Sequence, residues 1–145
     1  MNEVFVDTNV LVYRRDRSEP EKQARAEEWM AYLWESRKGR VSLQVLDEFY
    51  VTVTRRLRPG LDRSEAREEV RNLFAWRPVP IDRPLVESAW RLQDRYDLPF
   101  WDALIASAAL LADCRYLLSE DFRDGQAIDG VRVISPFTRR PDDLE

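Results

Sequence analysis

Short apolar runs alternate with stretches of helical period along most of this chain, and that alternation leaves few ways to fold it. Val4-Phe5-Val6, Val41-Ser42-Leu43, Val79 with Ile81, Tyr116-Leu117-Leu118 and Val131-Arg132-Val133-Ile134 read as strands by length and β-propensity. Helices are expected over Val10 to Val12, from Pro20 to Arg37, and from Gln44 to about Leu57. Further ones run from Asp62 or Ser64 to about Ala75, from Asp82 and Pro84 onward, and after Pro99. Their apolar stripes place Ala26, Trp29, Met30 and Leu33, then Val45, Leu46, Phe49 and Val53, in the core. Leu85, Val86, Ala89, Trp90 and Leu92 form the next stripe, followed by Leu104, Ile105, Ala108, Leu111 and Ala112. Strands separated by helices predict an α/β fold, a parallel sheet covered on both faces with right-handed crossovers. Prolines beside Val79 and Ile81 put that strand at an edge. A chain of this length is expected to form one domain, residues 1–137, with a polar tail over 138–145.

In open α/β sheets ligands bind beyond the carboxyl ends of the strands. The first strand runs straight into Asp7, and the fourth runs through Ser119-Glu120 into Asp121. Asp102 falls in the first turn of the helix after Pro99, where the helix dipole favours negative charge. Glu48 borders the apolar stripe beside Phe49. Each has an ordinary reading alone: Asp7 and Asp102 as helix caps, Glu48 as a solvated flank. A parallel sheet would bring all four to one edge, which makes a shared site the stronger reading.

The sequence contains no histidine, which removes Ser-His-Asp hydrolysis, histidine-based ribonuclease chemistry and histidine-ligated zinc. Clustered carboxylates repel one another, and a divalent cation relieves the conflict. Oxygen-only ligands select magnesium or manganese, which activates water and stabilises charge on a phosphoryl oxygen. The carboxylates therefore point to metal-dependent phosphodiester hydrolysis. A net charge of −4 argues against simple coating of nucleic acid, although the cations are nearly all arginines, suited to phosphate, with only Lys22 and Lys38 besides. One cysteine, Cys114, forms no internal disulfide, and the longest uncharged run, Ala103 to Ala112, is short for a membrane span; a cytoplasmic protein is expected.

Phe5-Val6-Asp7-Thr8-Asn9, Val45-Leu46-Asp47-Glu48-Phe49, Trp101-Asp102-Ala103-Leu104-Ile105 and Leu118-Ser119-Glu120-Asp121 resemble the successive motifs of PIN-domain ribonucleases. Length and motif order are similar to the VapC-type toxins of bacterial toxin-antitoxin pairs, over Val4 to Phe137. The resemblance implies a three-layer fold with a five-stranded parallel sheet of order 3-2-1-4-5. It also implies a magnesium- or manganese-dependent endoribonuclease whose metal-holding catalytic residues are Asp7, Glu48, Asp102 and Asp121, oriented by Asn9 and Ser119. A homodimer and a VapB-type antitoxin lying over the site are implied as well, with Tyr32 and Trp34 suggested as antitoxin contacts.

Two other classes compete. Aspartyl-phosphate enzymes and receiver domains need a second acid close to the first Asp and a lysine near the site, whereas Thr8-Asn9 follows Asp7. A non-catalytic RNA- or protein-binding module is the closer rival. Glycines at 39, 60, 125 and 130 form neither a Walker A loop nor a dinucleotide fingerprint.

Overall fold

In the computed structural model, which describes residues 2–144, five strands form one sheet. They are β1 (Val4–Val6), β2 (Gly39–Arg40), β3 (Tyr116–Leu118), β4 (Ala127–Ile128) and β5 (Val131–Ile134), in the order β2-β1-β3-β5-β4. The helices are α1 (Thr8–Tyr13), α2 (Pro20–Ser36), α3 (Leu43–Arg55), α4 (Arg63–Leu73), α5 (Arg83–Tyr96) and α6 (Phe100–Leu111). β1, β2, β3 and β5 run parallel, with Val4 opposite both Gly39 and Tyr116, and Leu118 opposite Ile134. The carboxyl ends of β1 and β3 are thereby adjacent, which brings Asp7 beside Ser119.

The α/β class holds, and the sheet differs from the expected one in detail. The third expected strand shrinks to a single parallel bridge between Val79 and Ser42, outside β2. Pro80 cannot donate to a ladder, and Ile81 is exposed, so nothing extends the pairing. At the opposite edge β4, absent from the expectation, pairs antiparallel with β5, Ile128 opposite Val131. Asp129 and Gly130, with φ of 47° and 93°, make the two-residue turn that joins them. An Asp-Gly pair flanked by apolar residues is a strong hairpin signal.

The second strand also begins two residues earlier than Val41. Ser42 caps α3 by accepting a 3.2 Å bond from the Val45 amide, so Leu43 is helical. Pairing falls instead on Gly39 and Arg40.

The core follows the expected helical stripes with three exceptions, of which Val86 is half-buried. Trp90 and Leu111, both expected inside, are exposed. Leu111 is the last residue of α6, beyond the buried run from Ala103 to Ala109 that packs against its neighbours, so its side chain falls at the rim. Trp29, Phe5, Phe49, Leu117 and Leu118 are among the largest fully buried side chains, each contributing about 1.5–3 kcal/mol. Part of the expected tail is anchored. Trp29 Nε1 donates to the Arg139 carbonyl at 3.0 Å, and Pro141 is buried in a single 3-10 turn; Glu145 lies outside the described residues. Among the described residues no helix is long and apolar enough to cross a membrane.

Candidate active site

Asp7 leaves β1 as its extended backbone ends and caps α1, its Oδ1 accepting the Thr8 amide at 2.7 Å. The cap reading is therefore correct, and it describes only half of what the carboxylate does. Its Oδ2 accepts the Ser119 hydroxyl at 2.6 Å and lies 3.4 Å from Asn9 Nδ2. The side chain is almost wholly buried. Burial pushes its carboxyl up to about 6, against the lowering pull of the Ser119 and Thr8 hydrogen bonds, and the charges of Asp121 and Glu48 add to the rise.

Asn9 ties this carboxylate to the loop after β3. Its Oδ1 accepts the Glu120 amide at 3.2 Å, which turns Nδ2 toward Asp121 Oδ2 at 3.2 Å and Ser119 Oγ at 3.3 Å. Ser119, fully buried, accepts the Asp121 amide at 3.1 Å. One hydroxyl and one amide thus fix two carboxylates from opposite ends of the chain.

Glu48 is exposed on α3, as a solvated helix flank would be, and is steered by the Thr8 hydroxyl at 2.9 Å. Asp102 occupies the first turn of α6 and, among the described residues, has no hydrogen-bond partner. Partial burial raises its carboxyl, and the charges of Asp121 and Glu48 raise it further. The four acids therefore share one field. They do not form a closed cage: among the described residues no three acidic or thiol side chains stand ready to enclose a metal ion. Only Asp7 is buried as well as hydrogen-bonded; Glu48 and Asp121 are exposed, and each side chain is held by one hydrogen bond, from Thr8 and Asn9 respectively.

Two features of this edge escaped the sequence. Thr8, between two residues singled out, positions Glu48 across 40 positions, and no pattern in the chain announces that link. Glu120 is clamped by Lys22 and by the Tyr13 hydroxyl at 2.7 Å, with Lys22 4.8 Å from the Tyr13 ring centroid. Partial burial would raise the Glu120 carboxyl, but these two hydrogen bonds outweigh it and hold it below its ordinary value. The clamp gives the Ser119-to-Asp121 loop a second anchor on α1 and α2. Cys114, the one thiol, is buried and pushed up to about 12 by that burial, which leaves it inert as a nucleophile.

Among solved structures, the chain resembles a toxin-antitoxin complex from Klebsiella pneumoniae at 20% identity and TM-score 0.62, covering 92% of this chain and 98% of that one. It also resembles VapC20 of Mycobacterium tuberculosis, a toxin that cleaves the sarcin-ricin loop, at 20% identity and TM-score 0.58 over 79% and 87% of the two chains. A DNA-bound VapBC from Salmonella typhimurium matches at 14% identity and TM-score 0.63, over 94% and 99%. No curated protein matches the sequence. These likenesses establish a shared fold. Residues 4–127, spanning all four acids, match the PIN domain, and the chain belongs to that family.

Proposed function

We propose that the protein is an endoribonuclease that hydrolyses RNA phosphodiester bonds with magnesium or manganese held by Asp7, Glu48, Asp102 and Asp121. The observation that carries this reading is the hydrogen-bonded bridge Ser119–Asp7–Asn9–Asp121 at the carboxyl edge of the sheet. The donors suit such an ion, being all carboxylate oxygens, and a cation relieves the upward pressure on Asp7 and Asp102. When bound, the metal supplies Lewis acidity to the scissile phosphate and makes water a better nucleophile near neutral pH.

The chain's own groups set the geometry. Asp7 cannot turn away, because Ser119 and the Thr8 amide hold both of its oxygens. Asp121 is oriented by Asn9, and Glu48 by Thr8. Asp102, with no protein partner for its oxygens among the described residues, stays available to the ion. In the reaction water adds across the P–O bond, its hydroxyl going to phosphorus and its proton to the departing ribose oxygen.

The biological setting is that of a toxin in the cytoplasm, a homodimer silenced by a VapB-type antitoxin whose C-terminal segment covers the acidic edge. Structural relatives described as toxins and toxin-antitoxin complexes support this. Of the two suggested contacts, Tyr32 is engaged by Lys38 and Trp29, whereas Trp34 is partly exposed against Trp76. Trp34 has the freer ring, but it stands over Trp76 beside Gly39, at the amino end of β1 and away from the acids, so neither residue is kept as a contact of the segment over the acidic edge.

Structured RNA incubated with the purified protein, with and without magnesium or manganese and beside Asp7→Asn, tests the reading. Cleavage that needs the metal and vanishes in the variant is expected. Equal cleavage by both proteins points to a contaminating nuclease and ends the assignment; binding without cleavage favours the non-catalytic module.

A further inference from the structure

We infer that the cavity beside Glu48 is a subsite for the RNA strand next to the scissile bond, and that Arg56 grips a flanking phosphate there. The inference rests on the ribonuclease reading above and adds where the substrate lies. The cavity, about 400 Å³, is lined by Thr8, Asp47, Glu48, Val51, Thr52 and Arg56. That volume falls within the roughly 300–1,000 Å³ of small-ligand sites. Thr8 and Glu48 make it continuous with the acidic edge.

The lining has the chemistry of a nucleotide. Glu48, Thr52 and Arg56 follow one another at turn spacing along α3 and its C-cap. Among the described residues the Arg56 guanidinium has no ion-pair or hydrogen-bond partner, so its donors are not already committed. Side chains on a helix lean toward its N-terminus, which tilts Arg56 back toward Glu48. Eight residues of helix still separate their backbones by about 12 Å, so the cation meets a phosphate beside the scissile one. Val51, 41% exposed between them, offers an apolar floor for a sugar or base. Thr52 offers a hydroxyl to the same strand. A free cation at this place also answers a problem set by the acidic edge, which by itself repels RNA.

A larger cavity of about 760 Å³ lies between α4 and the connection from α1 to α2, but no proposed site residue lines it, and its Arg15 is bound to Glu69. Its Glu65, Glu68 and Glu69 are likewise engaged within the fold, and three carboxylates against Arg15 and Arg17 leave it no surplus of positive charge for a phosphate.

The test compares Arg56→Gln, Arg56→Lys and, as a control, Arg55→Gln, an exposed neighbour outside the cavity. Cleavage of a structured RNA is measured with manganese. Anisotropy of a short fluorescein-labelled single-stranded RNA is measured with the same substitutions in the Asp7→Asn background. Arg56→Gln is expected to raise KM about tenfold and to lower the slope of log affinity against log salt by about 0.7, the value for one phosphate on a single strand. Arg56→Lys should recover part of the loss, and Arg55→Gln should change neither. Arg56→Gln equal to the parent in KM and salt slope overturns the inference while leaving the nuclease reading intact. No cleavage by any protein, with RNA binding still weakened by Arg56→Gln, overturns the nuclease reading and keeps the subsite. Unaltered RNA binding alongside weakened capture of a protein partner assigns the cavity to that partner and overturns the inference too.

Discussion

Ser119 Oγ donates a 2.6 Å hydrogen bond to Asp7 Oδ2 across the seam between β1 and β3, joining residues 112 positions apart. The bond exists because the two strands pair in parallel with Val6 opposite Leu118, so each delivers its next residue to the same point. Removing the hydroxyl in Ser119→Ala leaves Asp7 buried with one donor fewer and frees the Asp121 amide. Groups that orient metal ligands typically account for about 10- to 100-fold in affinity or activity. The manganese concentration for half-maximal RNA cleavage should rise by that factor. An unchanged half-maximum would show that Ser119 does not orient the site.

Metal binding should also be visible without any substrate. An ion that binds only the folded chain, at about 100 times its Kd, adds about 2.7 kcal/mol of stability. For a chain of this size that shift is roughly 5–10 °C in Tm. Manganese should raise the melting temperature of the parent protein and leave Asp7→Asn, which lacks the fixed ligand, nearly unmoved. Equal shifts in both proteins would place the ion elsewhere.

Legibility in the sequence followed the range of the interactions. β1 and β3 were plain because three apolar residues end abruptly in a carboxylate or serine, and the acids were found by their place at strand ends. β2 was misplaced because Ser42 serves equally as a strand residue and as a helix cap, and only the Val45 amide decides between them. β4 was missed although Asp129-Gly130 announces its turn; two residues of strand are too short to show a period. Thr8 to Glu48 and Lys22 to Glu120 were invisible, since neither spacing has a local cause. Trp90 was misassigned against the period: at about 100° per residue it lies roughly 130° around α5 from the stripe of Leu85, Ala89 and Leu92, and it is exposed.

Glu69 offers a pH-dependent prediction away from the acidic edge. Burial would raise its carboxyl, but hydrogen bonds from Arg15, at 2.7 Å to Nε, and Arg14, at 2.8 Å, outweigh it and hold the carboxyl below its ordinary 4.5. A depressed folded-state value means that the stabilisation is fully present above 4.5 and is lost as pH falls through the lower, folded value. Glu69→Gln should therefore cost about 1.5–3 kcal/mol at neutral pH, the range for hydrogen bonds to charged groups. In urea titrations the gap to the parent should stay constant from neutral pH to about pH 5 and close at lower pH. A gap that widens on acidification would reverse the sign assigned here.

Gly39 tests how the amino edge of the sheet is closed. A Cβ built there would stand 2.5 Å from Cη2 and Cζ2 of Trp76, far inside contact distance. The indole cannot easily retreat. It is 5% exposed, it leans on Trp34 with centroids 4.8 Å apart, and its backbone carbonyl accepts Arg40 Nε at 2.9 Å. Gly39→Ala should then cost about 1–3 kcal/mol, the usual range for overpacking, seen as a lower urea midpoint at unchanged slope. If the ring is the cause, the cost depends on the ring. In a Trp76→Leu background, itself less stable than the parent, the same alanine should cost much less, because the shorter side chain leaves the space above residue 39 open. Strictly additive effects of the two substitutions would mean that the alanine acts through the backbone of β2 and not through the indole.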